Sequence, residues 1–367
     1  MYQDLVTSKL LNAPLLIWAC CTLASCNNTK DNDTLETATP TTETEVIWAF
    51  STIQSPSGND GFGTSLATSN DIVFIGAPHG DGGGAVYQYN NADGIELIIQ
   101  GEPNSALGAS LAFHDGHLYT SAPLHLSGSG MISRIDGTSA LGESGDLLGK
   151  RLYSTGGRLF GSSTSGLFQV TPPAFGKVIQ KLSIEYVSND SRIGGLVARG
   201  DELYIGTPYG DSSVSIGQNS LSRTQQLDEA GYSLCLSDLN GDSIEELVVG
   251  APGKNRVEIY GRSDQDVFEL INTIDGNSGR FGHSVSCVGG VLIVGAPLFG
   301  EEQEGAIWRF EGDPTTWVAS EPFTEGSKAM SQLGFDTLLT ADGRIYAGAP
   351  GGGDTMGAVL VYAPATL

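Results

Sequence analysis

Basic side chains are scarce in this chain of 367 residues: 18 Lys and Arg stand against 42 Asp and Glu, a formal net charge of −24. That deficit excludes a nucleic-acid binder, because affinity for a phosphate backbone comes mainly from Lys and Arg. Charged residues of both signs make up only 16%, against a usual share of about 25%. Long apolar runs are missing as well. The best stretch, Leu10 to Ala24, is too short and too interrupted to span a membrane, which takes about 20 residues. Catalytic signatures are also lacking: there is no Gly-x-Ser-x-Gly elbow, no His-Glu-x-x-His pair and no P-loop. The run from Gly80 to Gly84 joins two strands and opens no helix, so it makes no phosphate cradle. No enzyme is expected. What is abundant is glycine, 51 residues, roughly twice ordinary usage, while 40% hydrophobic residues suffice for a core. Many glycines, few charges and no long amphipathic stretch point to an all-β protein full of tight turns. The acidic balance suits solubility, cation binding or a salty habitat.

The amino terminus reads as an address. The apolar stretch ends in Leu23-Ala24-Ser25-Cys26, and small residues before a cleavage point are what a signal peptidase accommodates. This quartet resembles the lipobox of bacterial lipoproteins, which implies that residues 1–25 are removed and that Cys26 receives a lipid. The segment before it departs from that pattern, with Lys9 its only basic residue, offset by Asp4. An ordinary secretory signal with a coincidental Cys is the alternative. By the same analogy, Asn27 in place of Asp favours the outer membrane. Export is expected either way. Residues 26–45 follow, rich in Thr and acids, with Leu35 the one apolar side chain larger than Ala; such a segment cannot bury enough surface to order itself. It is expected to be a flexible tether, with a folded domain from 46 to 367.

One phrase recurs through that domain: an apolar residue and Gly, a short run, a turn, an apolar run, then Gly-Ala-Pro or a relative. The openings are Phe62-Gly63, Leu107-Gly108, Leu148-Gly149, Ile193-Gly194, Ala230-Gly231, Phe281-Gly282 and Leu333-Gly334. The closings begin at Gly76, Ser121, Gly161, Gly206, Gly250, Gly295 and Gly348, the third being the worn Gly161-Ser162-Ser163. Successive opening glycines stand 45, 41, 45, 37, 51 and 52 residues apart, a spacing that suits propeller blades of four short strands. Continuous apolar runs such as Val291 to Val294 precede the closings, as strands buried on both faces require. An aromatic third strand follows, as in Ala85 to Tyr89, and then an outer strand such as Ile95 to Gln100 or Trp317 to Ala319. The last unit lacks an outer strand, and Val46 to Thr52 is a spare one. A seven-bladed β-propeller is therefore predicted, its ring closed by the amino-terminal strand, which also protects an open edge.

Phe-Gly followed by Gly-Ala-Pro resembles the FG-GAP repeat of integrin α-subunit propellers and of many bacterial surface proteins. The likeness covers roughly 46 to 367 and is best in units one, five, six and seven. The fifth unit inserts Asp238-Leu239-Asn240-Gly241-Asp242-Ser243-Ile244-Glu245-Glu246 between its first two strands. Asp238, Asn240, Asp242, the Ile244 carbonyl and Glu246 can converge on a hard cation, which takes six to eight oxygens at about 2.3–2.6 Å. The spacing is similar to the calcium loop of FG-GAP propellers, with Ser243 where Gly is commoner and Glu246 where Asp is commoner. One structural calcium is expected. The competing reading is an acidic hairpin turn, although a bare hairpin needs only two residues. The corresponding turns of the other units, such as Asp115-Gly116 and Asp342-Gly343, carry no such set.

Arg199-Gly200-Asp201 spells a tripeptide that integrins recognise, yet it occupies a hairpin slot that turn chemistry explains. His114 and His117 flank another Asp-Gly turn and read as solvated. Cys235 and Cys287 lie four and five residues past their repeat glycines, on opposite faces by strand parity. Free thiols are expected there, although export would permit a disulfide.

The function implied is an exported, membrane-tethered binding module of adhesion type, recognising an extracellular or envelope protein or a glycan. The loops between second and third strands are its expected contact face: His79 and Asp81, His125, Tyr209 and Asp211, Phe299, Glu301, Glu302 and Glu304, and Asp354. A structural subunit of an envelope complex is the rival reading. A hydrolase with an unrecognised acidic site is a third.

Overall fold

A computed structural model describes residues 47–58, 60–80, 82–170, 180–181, 193–209, 213–216, 219–221, 230–263, 268–351 and 356–365. The signal and tether predicted for 1–45, Cys26 included, lie outside them, as do Asp81, Asp211 and Asp354. The chain divides into residues 1–49 with 364–367, and residues 50–363. The described part of the first unit is the ends of strands Ile47–Gln54 and Ala358–Ala365; the second unit holds the fold.

That fold is an all-β propeller. The strands make seven four-stranded sheets, each ordered as the chain runs except the last. The innermost strands are Ser65–Ser69, Leu111–His114, Leu152–Thr155, Leu196–Arg199, Ser233–Ser237, Ser284–Val288 and Thr337–Leu339. Each touches the next, and Thr337–Leu339 touches Ser65–Ser69. In the last sheet Ile47–Gln54 pairs outside Ala358–Ala365, as the missing outer strand required.

The repeated phrase has a physical basis. In all seven units the opening glycine donates its N–H to the carbonyl at the start of the closing, from Gly63 to Gly76 (3.0 Å) through Gly334 to Gly348 (2.9 Å); in the third unit the acceptor is Ser162 (2.9 Å). The closing glycine then abuts the next unit. A Cβ on Gly250 would stand 2.2 Å from the Gly282 carbonyl oxygen, and one on Gly348 would stand 2.0 Å from that of Gly63, where the last unit meets the first. The opening apolar residue is the core plug: Phe62, Phe281 and Leu333 are fully buried, and Phe281 meets Trp308 edge-on at 5.1 Å.

Two expectations are corrected. Trp317 to Ala319 is not a strand. Asp313 caps a 3-10 turn over Pro314–Thr316 by accepting the Thr315 N–H, and proline has no N–H for a ladder. Trp317 instead folds back, donating its ring N–H to the Glu311 carbonyl at 3.1 Å, and the outer strand forms later, at Thr324–Glu325. Cys235 and Cys287 are disulfide-bonded, with Cα atoms 5.9 Å apart. Opposite parity is what allows this, because neighbouring sheets face one another with opposite faces, so side chains on unlike faces of successive units meet.

Candidate functional site

The Asp238–Glu246 loop is wound around its own side chains. Asp238 Oδ1 accepts the Gly241 N–H at 2.7 Å and Oδ2 that of Ser243 at 2.8 Å. Asn240 Oδ1 takes the Asp242 N–H at 2.9 Å, and Asp242 Oδ1 takes that of Ile244 at 2.7 Å. Gly241 and Ser243 adopt φ of +82° and +69°, so Ser243 does at some cost what glycine does freely. Leu239 anchors the loop, 2% exposed, while Ser237 Oγ donates to the Gly289 carbonyl of the next sheet at 3.0 Å. Glu246, also 2% exposed, accepts the Leu239 N–H at 2.7 Å.

Charge accumulates here. Burial raises the Glu246 pKa, and the nearby Asp242 and Asp238 carboxylates add to the rise. Among the described residues no basic side chain forms an ion pair with Asp238, Asp242 or Glu246; Arg199 pairs with Glu245 instead, at 3.4 Å. The Asn240 amide nitrogen donates to both Asp242 (3.1 Å) and Glu246 (2.9 Å), bridging two carboxylates as a positive charge would. Among the described residues no three His, Cys, Asp or Glu side chains are gathered closely enough to hold a metal ion as they stand. The donor set nonetheless fits a hard cation: three carboxylates, one of them buried, and an amide oxygen that a side-chain flip would present.

The predicted contact residues sit on four separate sheets, each held by its own neighbours. His79 is exposed, and its N–H bonds the Asp60 carbonyl at 2.8 Å. His125 is buried, with Nδ1 3.5 Å from Glu102. Phe299 props Trp308 edge-on at 5.1 Å and is half-buried. Glu301 and Glu302 are exposed, while Glu304 accepts the Glu302 N–H at 3.1 Å. Tyr209 is exposed and packs edge-on against Tyr232 at 6.3 Å. The Arg199-Gly200-Asp201 tripeptide is a hairpin turn, with Arg199 opposite Glu202. His114 Nδ1 is 3.1 Å from Ser154 Oγ of the next sheet, so this histidine links two units instead of standing free in solvent.

Tyr232 leads to residues that sequence reasoning missed. A cavity of about 440 Å³ is lined by the first residues after the repeat glycines, among them Lys150, Arg151, Tyr232, His283 and Asp336. The Arg151 guanidinium lies 4.5 Å over the Tyr232 ring, and Nη1 donates to the Tyr232 carbonyl at 2.9 Å. His283 Nδ1 and the Phe335 carbonyl are 3.0 Å apart. The carbonyl can only accept, so Nδ1 carries the proton and Nε2 accepts from Tyr232 Oη at 3.0 Å. Burial, then the Arg151 and Arg280 charges, push the His283 pKa down to about 3. Desolvation raises Asp336 to about 6. The signal available in sequence was that these positions depart from the Ser, Thr, Ala or Gly found there in most other units, Leu196 and Phe335 being the exceptions.

Residues 230–265, which include the acidic loop, match the model of the FG-GAP repeat. The chain is a β-propeller that carries an FG-GAP repeat. Integrin alpha-5 of Xenopus laevis is 30% identical to this propeller over 164 residues, 34% of the chain and 16% of that protein. Integrin alpha-PS2 of Drosophila melanogaster is 28% identical over 209 residues, 44% of the chain and 15% of that protein. Phosphatidylinositol-glycan-specific phospholipase D of Bos taurus is 32% identical over 201 residues, 44% of the chain and 24% of that protein. The matches thus span a quarter or less of these relatives. Among solved structures, BamB from Moraxella catarrhalis shares the fold at a TM-score of 0.52 and 12% identity, over 85% of this chain and 98% of that one.

Proposed function

We propose that this propeller is an exported binding module of adhesion type, anchored through Cys26 and held off the membrane by residues 26–45. The seven sheets are read as seven blades of one ring, completed by the strand Ile47–Gln54. The observation that carries the reading is that the second-to-third-strand loops and the repeat openings share one face: His79, Leu124 and Leu298 each donate a backbone N–H to the segment entering their own opening, at 2.8, 3.1 and 2.9 Å. Exposed Glu301, Glu302 and Tyr209 therefore stand on the face where the cavity opens, an acidic rim suited to a basic protein segment or a cation-bridged glycan. The likeness to integrin α-subunits supports the same reading. Calcium in the Asp238–Glu246 loop, at the other end of the fifth sheet, would neutralise three carboxylates and stiffen that hairpin, with no part in catalysis. The relative named as a phospholipase D shares only the matched segment, and no reaction is proposed from it.

The test is binding of the full chain to an array of glycans, matrix proteins and envelope proteins, with calcium and with chelator. A calcium-dependent glycan or matrix hit, weakened by exchanging loop 298–304 at unchanged melting temperature, supports the module. Silence on every surface contradicts it. One observation favours the envelope-subunit reading: the outermost strands expose Phe50, Leu97, Leu141 and Leu270, each roughly half accessible, and recurrent apolar side chains on an outer edge suit a docked partner. Hits confined to envelope proteins, with stoichiometric co-purification, would select it.

A further inference from the structure

The ring brings one position of each unit around the axis, and its departures are informative. In four units that position is serine. Ser65, Ser233 and Ser284 donate to the opening glycine carbonyl of the next sheet at 2.8, 2.8 and 2.9 Å, and Ser110 Oγ accepts the Leu152 N–H at 2.9 Å. The position is a clasp between sheets. In the seventh unit Asp336 performs the same task, accepting the Leu66 N–H of the first sheet at 2.8 Å. In the third unit the residue is Arg151, whose side chain forms no such clasp with the next sheet among the described residues. It reaches the fifth sheet instead, where Tyr232 fixes it by carbonyl and ring.

With Nη1 committed to Tyr232, the Nε–Nη2 edge of Arg151 has no hydrogen-bond partner among the described residues, and Arg151 lines the cavity of about 440 Å³. That volume falls in the range of small-molecule sites, about 300–1,000 Å³. The wall is cationic in a strongly anionic protein: Lys150 and Arg151 line the cavity with Asp336 the opposing charge, and Arg280 stands 5.6 Å over the other contact of the clamp, the Tyr232 ring. Asp336 is not within ion-pair distance of Arg151, although the two charges attract each other, and its oxygens take the Leu66 and Thr337 N–H groups. A guanidinium edge matches a planar carboxylate with two parallel hydrogen bonds.

We propose that this axial cavity binds a small organic carboxylate, held side-on by the Nε–Nη2 edge of Arg151 while Tyr232 fixes the guanidinium from behind. His283 positions Tyr232 through its hydroxyl and touches no ligand. Tyr209 of the loop rim packs against Tyr232, but the carboxylate needs no adhesion ligand, so its occupancy does not depend on the adhesion reading.

Calorimetric titration of the full chain with succinate, and with neutral succinamide as the matched control, tests this. Succinate is expected to bind one to one and succinamide not at all. Arg151→Met should weaken succinate roughly ten- to hundred-fold, as expected for the loss of charge-assisted hydrogen bonds, and Arg151→Lys should retain part of the affinity. If Arg151→Met does not fold, Tyr232→Leu, which removes the ring beneath the guanidinium and keeps only the carbonyl contact, should weaken succinate in its place. No binding of succinate, acetate or citrate at millimolar concentration would overturn the proposal. Equal binding of succinamide, or undiminished binding by the folded variants, would do so as well.

Discussion

At one end of the innermost strands, in the fifth sheet, three carboxylates and an amide gather within nine consecutive residues, Asp238 to Glu246. At the other end, Arg151, Tyr232 and His283 come from three different sheets and meet around the axis. In the first region Glu246 is buried, and among the described residues no basic side chain pairs with it, Asp238 or Asp242. The second carries positive charge, with one acid that is already engaged. A local constellation can be built by one loop on any scaffold, whereas a convergent one exists only if the ring closes. The two regions should therefore respond differently to damage.

The largest effect is expected at the closure itself. Gly348→Ala would place a Cβ 2.0 Å from the Gly63 carbonyl oxygen, and overpacking of backbone against backbone costs about 3 kcal/mol or more. Denaturant unfolding should show that loss, with succinate binding lost and the acidic loop's calcium response retained in whatever fraction stays folded. Next comes the Cys235–Cys287 link between the innermost strands of the fifth and sixth sheets. Cys235→Ser should lower stability by about 2–4 kcal/mol under oxidising conditions, and reductant should bring the wild type down to the same midpoint. Comparable in size is the loop itself: calcium at 100 times its dissociation constant should stabilise the protein by about 2.7 kcal/mol. Thermal melts of Glu246→Gln with and without calcium should show that gain abolished.

The effect confined to the narrowest window is a pH slope at the axial end. Asp336 titrates near 6 in the folded protein, above its ordinary 3.8. Between those values the folded state holds a proton that the unfolded state has released, so its contribution to stability falls as pH rises through that window. Asp336→Asn should remove this slope, read as a wild-type-minus-variant difference in unfolding free energy that declines from about pH 4 to 6. His283 acts in the opposite sense, its folded value near 3 lying below 6.5, so acid costs stability through it. The difference measurement isolates Asp336.

This contrast also explains what was legible in the sequence. The seven openings and closings could be read because each pair is one backbone hydrogen bond that demands glycine or a small residue at a fixed place, as from Gly63 to Gly76. The acidic loop could be read because its ligands are neighbours in the chain. Arg151 could not, since what it meets is set by how far around the ring the fifth unit falls. Strand parity misled at Cys235 and Cys287 for the same reason: parity is defined within a sheet, and the contact is between sheets. Trp317 misled because apolar residues resemble a strand until the Asp313-Pro314 turn bends them inward, where Trp317 packs against Phe310 at 5.6 Å.

The most direct measurement is a crystal structure of the protein grown with calcium. The account predicts an ion in the Asp238–Glu246 loop with oxygen ligands at about 2.3–2.6 Å, and an Asn240 amide turned to present its oxygen. An Asn240 nitrogen still bridging Asp242 and Glu246, with no ion beside it, would contradict it.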